Sequence, residues 1–78
     1  MRQKLPTLII SFSTTTEAMA AEKFCTENAL PGRLIPLPGE ISAGCGLAWK
    51  AKPEDGETLL SAFENAEIKW SAKDIIVI

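Results

Sequence analysis

The sequence predicts an α+β fold of the ferredoxin-like kind, β-α-β-β-α-β, with a four-stranded antiparallel sheet and two helices on one face. Three observations predict it. Short β-branched or alternating apolar runs are twice interrupted by segments with helical spacing and helix-start signals. A proline, Pro36, sits inside the second strand-like run, and a residue without a backbone N–H belongs on a sheet edge. Right-handed crossovers with this element order give the spatial order 4-1-3-2, which puts that strand on the edge.

The elements follow in order. "LPTLIISF" has the bias of a buried strand, placed at about Thr7 to Phe12. "STTTEAMAAEKFCTENAL" then reads as a helix, because Thr14 can accept from the Glu17 N–H while the Glu17 side chain reaches back. Ala18, Ala21, Cys25 and Ala29 recur on one face of it, joined by Phe24, and "LPG" at 30–32 stops it. "RLIPLP" is the edge strand. In "GLAWKA", Leu47, Trp49 and Ala51 alternate with Ala48 and Lys50, as in a half-buried strand. "PEDGETLLSAFENA" supplies the second helix, with Pro53 near its first turn, Glu54, Asp55 and Glu57 complementing its dipole, and Leu59, Phe63 and Ala66 as its apolar stripe. The last strand lies within "IKWSAKDIIVI".

The 78 residues suffice for one domain, 1–78, with a thin core, and the apolar content of 46% is too high for a disordered chain. Eight basic and ten acidic residues are dispersed, so no like-charge run is available to track nucleic acid. No stretch is apolar for long enough to span a bilayer. The basic start of "MRQKLPTLIISF" resembles a leader, but cleavage there would remove the first strand, so an uncleaved, cytoplasmic protein is expected. Two cysteines and no histidine make neither a disulfide framework nor a zinc site, so no metal and no cofactor are expected and both thiols are expected to be reduced.

The candidate catalytic atom is the sulfur of Cys45 in "EISAGCGLAWK". The first two strands of this topology are parallel. The loop after the first, carrying Ser13 and Thr14, therefore emerges at the same end as the loop carrying Ser42, Gly44, Cys45 and Gly46. A helix N-terminus offers free N–H groups and partial positive charge, which lower a thiol's pKa, and the flanking glycines let further N–H groups approach. Arg33 and Lys50 fall toward the other end and are not assigned to this site. The competing reading is that Gly-Cys-Gly is a turn in which the cysteine fills a small apolar gap. Cys25, mid-helix on the apolar face, is expected to pack only. Met19, Trp49 and Trp70 are read as core or partly exposed sheet surface, and the acidic group at 54–57 as a solvated helix start.

"SFSTTTEAMAAEK", "PGRLIPLP", "ISAGCGLAWK" and "PEDGE", in that order, resemble the small bacterial family of selenium/sulfur carrier-like proteins, long catalogued as a domain of unknown function. Carried over, its recurring features correspond to Ser13, Thr14, Ala18, Ala21 and Glu22, to Gly32 through Pro38, and to Ser42, Cys45 and Gly46. Where family members often carry a basic residue after the second proline, this chain has Gly39. The resemblance implies a non-enzymatic carrier in which Cys45 takes a sulfane sulfur or selenium from a cysteine desulfurase-like donor and passes it to an acceptor enzyme. Such transfer needs an accessible thiolate and no histidine base. The alternatives are a small binding or regulatory module, with Trp49, Trp70 and the "IIVI" tail at a sheet-face or loop interface and a homodimer among its forms, and a redox sensor lacking a resolving cysteine.

Overall fold

The computed structural model describes residues 5–39 and 46–77. Its elements are β1 (Pro6–Ser11), α1 (Thr15–Glu27), β2 (Arg33–Pro36), β3 (Leu47–Ala51), a 3₁₀ turn (Pro53–Asp55), α2 (Gly56–Asn65) and β4 (Ala72–Val77). The strands form one antiparallel sheet ordered β2-β3-β1-β4, the expected ferredoxin-like arrangement with Pro36 in an edge strand.

Register assigns the faces. β1 pairs with β3 through Leu8↔Ala51 and Ile10↔Trp49, and with β4 through Leu8↔Ile75 and Ile10↔Lys73. Leu8, Ile10, Phe12, Trp49 and Ala51 thus meet Ala18, Ala21 and Cys25 of α1 and Leu59 and Phe63 of α2 in one core, so both helices cover the same face. Phe63 lies edge-on to Phe12, with ring centroids 6.5 Å apart, and tilted against Phe24 at 6.2 Å. These offset geometries suit the ring quadrupoles. On the other face Thr7, Ile9, Ser11 and Ala48 are buried as well, which explains why β1 reads as a near-continuous apolar run.

α1 begins as expected: Thr14 is its N-cap, with the Glu17 N–H donating to Thr14 Oγ1 at 3.1 Å. Only that half of the reciprocal pair forms among the described residues. The helix ends differ from expectation. Ala29 is not on the apolar face but exposed, at φ 53°, and it rather than the Leu-Pro-Gly segment reverses the chain. The Leu30 N–H donates to Cys25 O at 2.9 Å and the Ala29 N–H to Thr26 O at 3.4 Å, a Schellman closure. α2 ends in the same way. Ala66 is its exposed C-cap rather than part of its stripe, Glu67 takes φ 58°, and the Ile68 N–H reaches Phe63 O at 2.8 Å. The proline expected in the first turn of α2 instead forms the separate 3₁₀ turn ahead of it.

Gly32 has another task. At φ +103° it leads into β2, and a Cβ there would collide with the Lys50 carbonyl oxygen and the Trp49 indole nitrogen. That close approach lets the buried Trp49 Nε1–H donate to Pro31 O at 2.9 Å, giving the indole donor the partner that burial requires. Trp49 is therefore a core residue of the helix-covered face, not a sheet-surface contact. Met19, by contrast, is 55% exposed.

The two non-glycine αL residues carry a steric cost that glycine removes. Ala29→Gly and Glu67→Gly are each expected to stabilise the fold by about 1 kcal/mol, read as a higher denaturation midpoint at unchanged slope. Unchanged or lower midpoints would contradict the assigned caps.

Candidate functional site

The end of the sheet expected to hold the site is built from the last couple of β1 and β3, Ser11↔Ala48. Two residues beyond Ser11 lies Ser13, and two residues before Ala48 lies Gly46. The opening of α1 and the residue after Cys45 therefore leave adjacent strands at one end. Ser13, Thr14, Thr15 and Thr16 are exposed there, and the first N–H groups of α1 have no partner within the helix beyond the single cap bond to Thr14. Gly46 is exposed at φ +76°, and its carbonyl accepts from the Leu37 N–H at 2.9 Å, closing the base of the 38–45 connection. Ser42, Gly44 and Cys45 lie outside the described residues. Arg33 and Lys50 are paired at the far end of the sheet, as expected from their exclusion.

The other thiol is sealed. Cys25 is 1% exposed among the core side chains of α1, and burial pushes its thiol up to about 11. Desolvation disfavours the thiolate, so near neutral pH Cys25 is a small apolar filler.

Sequence reasoning missed Ser11. It is fully buried, on the face of β1 turned away from the helices, and its hydroxyl has no hydrogen-bond partner among the described residues. A buried hydroxyl without a partner costs about 1–3 kcal/mol. It sits at the end of the sheet from which α1 departs, abreast of Ala48, three residues after Cys45 in the chain. The available signal was a polar residue inside the apolar run "LIISF".

Among the described residues no group of three or more His, Cys, Asp or Glu side chains could hold a metal ion. No described helix is long and apolar enough to cross a membrane.

The family model described as "Putative Se/S carrier protein-like" matches residues 7–73. The chain belongs to this family. The match runs from β1 into β4 and takes in both helices, Ser11, the α1 cap and the 38–46 connection, so family membership covers the whole end of the sheet just described. No curated protein and no solved structure matches the chain.

Two measurements probe this end and the sealed thiol. The Cys25 thiol ionises near the ordinary range once the chain unfolds but only near 11 when folded. Its contribution to stability is therefore complete below the ordinary thiol pKa and is lost as pH rises through that range toward 11, on the order of 2 kcal/mol in all. A Cys25→Ala variant is expected to lose less stability than the parent over that interval. Parallel pH profiles would refute the sealed-thiol assignment. Ser11→Ala, by removing an unpaired buried hydroxyl, is expected to raise the stability of the isolated protein by about 1 kcal/mol; destabilisation would mean that the hydroxyl has a partner after all.

Proposed function

We propose that this protein is a sulfur or selenium carrier whose Cys45 thiolate holds the transferred atom. The observation that carries the reading, beside the family match, is the state of the second thiol. The chain has only two cysteines, and Cys25 is buried with a raised pKa, so thiol chemistry at neutral pH falls to Cys45. The described surroundings support it: the start of α1, whose first N–H groups lack partners within the helix beyond the cap bond, and the positive-φ Gly46 that follows Cys45 in the chain lie at the same end of the sheet.

The transfer balances without an added oxidant. The Cys45 thiolate attacks the terminal sulfur of a donor persulfide, R–S–SH. The donor's own S–S bond breaks, the donor leaves as its thiolate R–S⁻, and Cys45 becomes a persulfide. An acceptor nucleophile then attacks the outer sulfur and releases the Cys45 thiolate. Selenium follows the same course as a selenosulfide. Donor and acceptor need an accessible loop, which suits a reduced cytoplasmic protein with a cysteine desulfurase-like partner. The binding-module alternative loses two of its named parts, because Ile9 and Ala48 on the face away from the helices are buried and Trp49 is turned into the core, and keeps the exposed Ile75 and Val77 of β4.

Intact-protein mass spectrometry after incubation with a cysteine desulfurase and cysteine tests the reading. One added sulfur, removed by reductant and mapping to Cys45, is expected in the parent and in Cys25→Ser, and none in Cys45→Ser. Wild-type loading of Cys45→Ser would exclude Cys45 as the carrier atom.

A further inference from the structure

At the opposite end of the sheet, where β1 and β2 begin and β3 ends, a cavity of about 590 Å³ is lined by Arg33, Lys50 and Lys52 over an apolar floor that includes Leu5, Pro6, Pro31 and Ala51. Register forces this clustering. Leu34 and Trp49 pack on the helix-covered face, so their neighbours Arg33 and Lys50, directly opposite one another, share the other face. Like charges at a cross-strand pair repel. Among the described residues, neither these two nor Lys52 is in an ion pair; Asp55 lines the cavity without pairing with any of them. The Thr7 hydroxyl, also at the wall, donates to Leu5 O at 3.0 Å, so the cations supply the free donors.

We infer that this cavity is a binding site for a small oxyanion-bearing molecule, its phosphate or carboxylate held by Arg33, Lys50 and Lys52 and its apolar part lying on the proline-lined floor. An anion between Arg33 and Lys50 converts their repulsion into two attractions, and the guanidinium fork matches two oxyanion oxygens at once. The volume is that of a small-molecule pocket. The site is remote from the α1 N-terminus and independent of the carrier reading: either stands if the other fails.

The test is a ¹H–¹⁵N NMR titration of the full chain with inorganic phosphate and, separately, with citrate, sodium chloride holding ionic strength constant. Saturable shifts confined to amides around Thr7, Gly32, Arg33, Lys50 and Lys52 are expected. Lys50→Met or Arg33→Gln should weaken binding about tenfold or more, the loss of one charge-assisted contact, and Lys23→Gln on α1 should leave it unchanged. Lys52→Gln lies beyond the strand end and serves if a strand variant fails to fold. Tighter binding of phosphate points to a phosphorylated ligand, and tighter binding of citrate to a carboxylate. Shifts that do not saturate, that appear equally at Lys23 and Lys69, or that survive the cavity substitutions would overturn the proposal.

Discussion

Phe63 is the contact on which the rest of this small structure depends. A chain of 78 residues has a thin core, and here one ring touches Phe12 at the end of β1 and Phe24 on α1 while belonging to α2. Sheet, first helix and second helix are thus tied at one point. The closure that ends α2 hydrogen-bonds to Phe63's own carbonyl, so the residue fixes both the docking of the helix and where it stops. Loss of that ring would leave a cavity shared by three elements, where relaxation of one cannot fill the space left by the other two.

A second constraint works across the sheet. Trp49 needs a partner for its indole N–H, finds it in Pro31 O, and reaches it only because Gly32 carries no side chain. This bond pins the connection between α1 and β2 against β3 and so fixes the register that sets Arg33 opposite Lys50. A packing requirement on one face thereby dictates an electrostatic arrangement on the other. The two ends of the sheet acquire different characters: helix N–H groups and small hydroxyls at one, concentrated positive charge over proline at the other.

Much of this was legible in the sequence because local rules agreed with one another. Thr14 three residues before Glu17, Pro36 inside a strand run and the alternation around Trp49 each point to one placement, and together they leave one topology. The departures have local causes. Ala29 and Glu67 adopt left-handed backbone because the 6→1 and 5→2 bonds offset a cost that propensity would have assigned to glycine. Gly32, the obvious helix terminator, is needed instead for closeness to Trp49. Ser11 escaped notice because an isolated serine in an apolar strand reads as tolerated polarity, and only the surrounding packing shows that its hydroxyl is buried without a partner among the described residues. For the candidate site, topology alone brought Ser13, Thr14 and Gly46 to one end, while the burial that sets Cys25 aside required the packed core to quantify.

The two rims of the sheet are defended unequally. The β2 rim is short, four residues, and carries Pro36. β4 is six residues long, contains no proline and exposes Ile75 and Val77, yet places Lys73 and Asp74 side by side in its first half, one toward each face. Any strand approaching that rim must strip water from a cation on one side and from an anion on the other before it can zip to the apolar tail. The sheet is therefore closed chemically along one margin and gated by charge along the other.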